Sequence, residues 1–201
     1  MKEESQKQVW NNIAKEWHQF KQNPGRGVED FLKNKTGKIL DLGSGSGRHL
    51  IKTKGKLYLV DFSSEMIKLA KQKAKKEKIE AEFFVLDVGK EKLPFPDNFF
   101  DYAICIAVLH CLNKKSQKNA VKELYRVMKP KSESLIVVWN INSKRFKNSP
   151  KEKYIKWRDK GERYYYLFDE KEIYSLFQKV GFKIKEKIDS QINIPFVCEK
   201  L

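Results

Sequence analysis

The stretch Lys38-Ile-Leu-Asp-Leu-Gly-Ser-Gly-Ser-Gly-Arg-His-Leu50 constrains the fold more than any other part of this chain. An apolar run, Ile39 to Leu42, breaks into a loop with glycines at 43, 45 and 47, and Arg48-His-Leu-Ile51 resumes in helix-compatible residues. The reading is a strand, a tight turn and a helix start. Glycine at alternate positions lets the backbone take positive φ and lets a ligand lie against main-chain N–H groups. The spacing is G-x-G-x-G. Position 48, where a dinucleotide fingerprint needs its third glycine, is arginine, which weakens a pyrophosphate-binding reading. The next apolar run, Leu57-Tyr-Leu-Val-Asp61, ends in an acid at the place where such folds bind ribose hydroxyls. Glycine loop and ribose acid together point to an adenosyl cofactor.

Around this centre the chain alternates helix and strand patterns. Val9, Trp10, Ile13, Ala14, Trp17 and Phe20 recur with helical period, so an amphipathic helix is expected over 6–20, with Trp17 or Phe20 either covering the site or packed on the sheet. Asn23-Pro-Gly-Arg-Gly27 reads as a turn and Val28–Lys35 as a short helix. Ser63 caps a helix to about Lys78, followed by a strand, Glu82-Phe-Phe-Val-Leu-Asp87. Phe99 to Val108 is a central buried strand, and a helix capped by Ser116 runs to Lys129. Pro130–Ser134 reads as a turn before the strand Leu135–Trp139. Residues 140–162 read as an irregular basic excursion. A helix starting at Asp169 and closed by Gly181 precedes two strands, Phe182–Ile188 and Ile192–Cys198, with Pro195 expected at a bulge or an edge.

A net charge of +16 favours a polyanionic partner, although lysine-rich solvated faces account for part of it. Three cysteines, at 105, 111 and 198, fit reduced thiols. No apolar run reaches the ~20 residues of a membrane span. The N-terminal Met-Lys-Glu-Glu-Ser lacks a signal-peptide core, so a cytoplasmic location, with the nucleus as a second one, is the expectation.

The glycine loop, Asp61, Leu86-Asp87, Leu93-Pro-Phe95 and Phe100-Asp-Tyr-Ala-Ile104 resemble class I S-adenosylmethionine-dependent methyltransferases over residues 36–140. Ile106-Ala-Val-Leu-His-Cys-Leu112 and Arg163-Tyr-Tyr-Tyr-Leu-Phe168, with Val138-Trp139 and Val9–Ala14, are similar to one branch, the tRNA wobble-uridine carboxymethyl methyltransferases. The resemblance implies a Rossmann-like α/β fold: a seven-stranded, mostly parallel sheet with helices on both faces and a terminal antiparallel strand pair. One methyltransferase domain over 1–201 is expected, with a helical leader (1–35), a cofactor core (36–140), a basic substrate-side insertion (141–168) and a terminal helix with the strand pair (169–201). S-adenosylmethionine is the implied cofactor, near Asp41, Gly43, Gly45, Gly47, Asp61, Phe62, Met66, Asp87, Val88 and Ala107. The implied partners are tRNA and a small zinc-binding activator subunit that adds to the edge strand at Phe83, Phe84 and Val85.

For the acceptor, the sequence lacks the Asn-Pro-Pro-Tyr or Asp-Pro-Pro-Tyr of many amino-group methyltransferases and a Pro-Cys pair for pyrimidine carbon. His110, Arg163 and Tyr165 are the candidate catalytic residues; with Lys21 and Tyr164 they form the candidate substrate set. These are donors fit to hold a carboxylate, which needs no general base at neutral pH. Related sequences carry histidine at Cys111 and arginine at Lys21. The expected reaction is esterification of 5-carboxymethyluridine at the wobble position. Two alternatives stand beside it: a methyltransferase of a small molecule or protein, and a silent RNA-binding scaffold of the same fold.

Overall fold

The computed structural model describes residues 5–25 and 27–201. The first four residues of the expected leader and Arg26 of the expected turn lie outside the described residues. In chain order the elements are α1 (Gln6–Phe20), α2 (Val28–Leu32), β1 (Lys38–Leu42), β2 (Lys56–Asp61), α3 (Ser64–Glu77), β3 (Ala81–Val85), β4 (Phe100–Ile106), α4 (Lys114–Val127), β5 (Met128–Trp139), β6 (Glu152–Lys156), β7 (Glu162–Tyr166), α5 (Glu170–Gln178), β8 (Phe182–Lys187) and β9 (Asn193–Lys200).

Seven strands form one sheet in the order β3-β2-β1-β4-β5-β9-β8, and β6 and β7 form a separate antiparallel hairpin. Strands β1 to β5 run parallel, and β9 is antiparallel to both β5 and β8. The expected Rossmann-like sheet is present. Its chain path moves outward from β1 to β3 and then returns to the other side of β1 with β4. That reversal opens a crevice at the carboxyl ends of β1 and β4, where ligands of open α/β sheets bind.

Alternation along each strand builds two cores. Leu40, Leu42, Val60, Ala103, Ile136 and Val138 face α4 and α5, whereas Ile39, Leu57, Leu59, Ile104 and Leu135 face α2 and α3. Helix α3 starts on Ser63, whose hydroxyl accepts from Met66 N–H, and α5 starts on Asp169, whose carboxylate accepts from Glu172 N–H.

Several local expectations are corrected. No helix follows the glycine loop: residues 43–55 are turns and irregular backbone. Gly47 at φ +76° and the bonds from Gly47 N–H to Ser44 and from Leu50 N–H to Gly47 commit the segment to turns, leaving too few residues for a helical crossover. Helix α2 stops at Leu32, short of Lys35. Helix α4 is capped by Asn113, three residues before Ser116, whose own N–H is the donor that Asn113 accepts. Residues 130–134 belong to β5; a register shift between Phe100 and Tyr102 and positive φ at Lys131 absorb the irregularity. The basic excursion is in part a hairpin, because β6 pairs with β7 from Glu152↔Tyr166 to Lys156↔Glu162. Pro195 lies in an internal strand, opposite Val137. Its carbonyl accepts from Ile188 N–H, the last bond between the two strands, so its missing N–H falls where the β8–β9 ladder stops.

Candidate active site

A cavity occupies the crevice. Its walls include eight of the expected cofactor residues: Gly43, Gly45, Asp61, Phe62, Met66, Asp87, Val88 and Ala107. Asp41 and Gly47 stand behind this wall. The glycines divide the work. A Cβ on Gly43 would meet Val108 Cγ2 at 2.2 Å, so that glycine is required by packing of the loop against the end of β4. At Gly45, φ is +55° and a Cβ would meet nothing within 4 Å, so open space lies against its backbone.

Asp61, the last residue of β2, accepts from Gly45 N–H through Oδ2 and from Ser63 N–H through Oδ1, both at 2.9 Å. Burial nevertheless wins and raises its pKa to about 6. The carboxylate of Asp41 is buried, and neither oxygen has a hydrogen-bond donor among the described residues. His49 Nδ1 stands 3.7 Å from Asp41 Oδ2, and both nitrogens of that buried ring are unpartnered as well. An uncompensated buried carboxylate costs several kcal/mol, and a cofactor ammonium is the group that would relieve it. The adenosyl end has Phe62 and Met66 as apolar walls and Asp87, which accepts from Gly89 N–H at 3.0 Å. Ala107 takes φ +63°, a strained conformation for a residue with a side chain, at the point where β4 enters the cavity wall. These residues fit S-adenosylmethionine: Asp41 for its amine, the Gly45 backbone for its methionine portion, and Asp61 for its ribose.

The candidate acceptor residues form a second cluster beside the cavity. Alternation along β7 divides its motif: Arg163 and Tyr165 face the cluster, while Tyr164 and Tyr166 join the core. Tyr164 is thus separated from the other candidates. Tyr165 stacks on Trp139 at 4.2 Å, Trp139 stacks on His110 at 4.6 Å, and Arg163 Nη1 donates to Tyr165 Oη at 2.7 Å. His110 Nδ1 accepts from Trp139 N–H at 3.0 Å, which leaves the ring proton on Nε2. Burial, with repulsion from Arg145, lowers its pKa to about 3, so His110 is a neutral donor at physiological pH.

Arg163 is 6% exposed, and its guanidinium carbon lies 4.8 Å from the Trp157 ring, 5.6 Å from Trp17 and 5.9 Å from Trp10. Trp10 and Trp17 are themselves cavity walls. Lys21 lies apart from this cluster, at the end of α1, where burial and then repulsion from Arg48 and Arg145 lower its pKa. Among the described residues none of Lys21, Arg48, Arg145 and Arg163 forms an ion pair. Sequence reading missed His49, Arg48, Val108 and Trp10 as site residues. A signal existed for Arg48 and His49, which adjoin the glycine loop, and for Trp10, on the apolar face of α1.

Hairpin β6–β7 and helix α1 roof the site. Trp157 Nε1 donates to Glu16 at 2.7 Å, Lys160 pairs with Glu16 at 2.6 Å, and Tyr164 N–H donates to Gln6 at 2.8 Å. Trp17 therefore belongs to the cavity roof, and Phe20 is exposed. Neither packs on the sheet.

Residues 39–131 match a family model described as methyltransferase domain. The chain is 31% identical over 107 residues to the ubiquinone/menaquinone biosynthesis C-methyltransferase UbiE of Vibrio cholerae, covering 50% of this chain and 40% of that relative's length. A S-adenosylmethionine-dependent methyltransferase from Methanosarcina mazei superposes with a TM-score of 0.69 at 22% identity, covering 89% of this chain and 99% of that one. A Haloferax volcanii methyltransferase solved in complex with the Trm112 methyltransferase activator gives 0.71 at 16% identity, covering 99% and 98%. The crevice at the sheet's reversal, the cradle at Gly45 and the match over residues 39–131 converge on a Rossmann-like α/β methyltransferase fold with S-adenosylmethionine as its cofactor.

Proposed function

We propose that this chain esterifies the carboxymethyl group of a wobble uridine in a tRNA anticodon. The observation that carries the reading is Arg163, a buried guanidinium with no carboxylate partner among the described residues, beside the wall of the cofactor cavity. An unpaired buried charge costs several kcal/mol, and the cation–π contacts, each worth about 2 kcal/mol or more when desolvated, offset it without supplying a counter-charge. An anionic acceptor completes the balance. Arg163 would take a carboxylate bidentately, and Tyr165 and neutral His110 are further donors around it. When bound, S-adenosylmethionine supplies a methyl carbon to which an acceptor oxygen bonds in line as the carbon–sulfur bond breaks, its electron pair leaving with sulfur. A carboxylate with pKa near ~4 is already ionised at neutral pH, so no proton has to be removed. A carbon acceptor or a protonated amine would need a base, and this cluster has no carboxylate, while burial makes His110 too weak a base for that task.

The net charge of +16 and the convergence of Lys21, Arg48 and Arg145 favour a nucleic acid as carrier of that carboxylate. Strand β3 is a sheet edge with Val85 exposed, which suits strand addition by the small zinc-binding activator that the sequence resemblance implies, and the Haloferax neighbour is a methyltransferase in complex with an activator. The methyltransferase domain model bears on the donor half, since Arg163 and Tyr165 lie outside its matched residues 39–131.

Arg163→Ala tests the assignment. Turnover on carboxymethyluridine tRNA should fall about a hundredfold, the size of a lost contact of ~3 kcal/mol, with S-adenosylmethionine affinity unchanged. Arg163→Lys should restore only part, because an ammonium cannot form two parallel hydrogen bonds. Wild-type turnover by Arg163→Ala removes Arg163 from acceptor binding.

A further inference from the structure

Phe20, at the last position of α1, is 66% exposed and yet belongs to an ordered aromatic cluster. Its ring centroid is 6.0 Å from Trp157 and 6.4 Å from Trp17, and Trp17 is 5.1 Å from Trp10. Trp10 and Trp17 are walls of the cofactor cavity, so a line of aromatic rings runs from that cavity to the outer surface. There it borders an open cleft formed by Glu16, Gln19, Phe20, Lys156, Trp157 and Arg158.

The cleft is rigid and positively charged. Trp157 is fixed by a tight turn, with Trp157 N–H bonded to Gly161, and its indole N–H is committed to Glu16. What it offers a ligand is its ring. Lys21 Nζ stands 4.5 Å from the Phe20 centroid, and on the hairpin side the largely exposed Lys156 and Arg158 pair with Glu162 at 3.8 Å and Glu16 at 3.3 Å, leaving Lys21 and Lys160 as the surplus of positive charge. Glu16 is the cleft's acid, and it is neutralised by Arg158 at 3.3 Å and Lys160 at 2.6 Å. An exposed ring between cations matches the way proteins hold single-stranded nucleic acid: bases stack on aromatic faces while lysine and arginine follow the phosphates.

We infer that Phe20 is a stacking platform for an unpaired nucleobase next to the one that enters the site. The inference rests on the tRNA reading and deepens it. A base on Phe20 would be held one aromatic step, through Trp17, from the cavity wall. This contact tolerates any base, because each presents a π face, so it would fix the register of an anticodon loop without reading its sequence.

The test uses the full chain and a synthetic anticodon stem-loop RNA carrying 5-carboxymethyluridine. Binding is followed by fluorescence anisotropy and methylation by nucleoside mass spectrometry. Phe20→Ala should weaken RNA binding about five- to a hundredfold, the range of one lost base–aromatic stack, with S-adenosylmethionine affinity unchanged. Phe20→Trp should bind as the wild type does. If Phe20→Ala and wild type bind equally while both methylate the RNA, the platform is overturned and the tRNA reading stands. If wild type binds, Phe20→Ala does not, and neither methylates, the platform stands and the acceptor assignment falls. If the wild-type chain does not bind the RNA, or binds an acidic protein in its place, both are overturned.

Discussion

Asp61 decides how the cofactor site responds to pH. Its two backbone donors favour the carboxylate, but burial outweighs them and raises the pKa to about 6. The folded chain therefore holds this proton more tightly than the unfolded one. Between about pH 4 and 6 its contribution to stability falls as pH rises, and at neutral pH the ionised group costs the free protein ~3 kcal/mol. In the proposed cofactor contact, ribose hydroxyls would donate to the ionised form. S-adenosylmethionine affinity, measured by calorimetry, should be about tenfold weaker at pH 5 than at pH 7.5, and Asp61→Asn should bind weakly with a flat profile. An equal affinity at both pH values in the wild type would remove Asp61 from the ribose contact. Asp61 was legible in the sequence because it closes an apolar run after a glycine loop. The Asp41–His49 pair was not, because their approach to 3.7 Å depends on turns that replace the expected helix.

At the scale of elements, the parallel strands were legible from continuous Ile, Leu and Val runs and their helices from capping residues. The hairpin β6–β7 was not. Glu152-Lys-Tyr-Ile-Lys156 alternates, but its lysines resemble a solvated loop, and the elements that steady it, α1 above all, are remote in sequence. Strand β3 was expected as an edge and is one. Its apolar surface is smaller than its sequence suggests, since Phe84 packs on Phe95 at 4.9 Å and Phe83 lies under Lys71; Val85 is the exposed apolar residue. What remains is an outer row of backbone groups with no strand beside it. In hydrogen exchange, amides at 82–85 should be protected when the small zinc-binding activator is added, and the chain alone should be poorly soluble. Unchanged exchange together with a monodisperse, fully active monomer would contradict docking at this edge.

Across the whole molecule, the donor half and the acceptor half are built differently. Residues 39–131 supply most of the cofactor-cavity wall and match a methyltransferase domain model, whereas of the proposed acceptor cluster only His110 falls within that match, and Trp139, Arg163 and Tyr165 lie beyond it. This division explains why the fold and cofactor follow from sequence more readily than the acceptor. The central claim concerns the bond made there. The chain, with the small zinc-binding activator proposed above, is incubated with tRNA bearing 5-carboxymethyluridine and S-adenosylmethionine labelled in the methyl group, and the nucleosides are analysed by mass spectrometry before and after mild alkali. The account predicts label on the wobble uridine that alkali releases, as an ester requires. Label that survives alkali on carbon or nitrogen, or no label on tRNA, would contradict it.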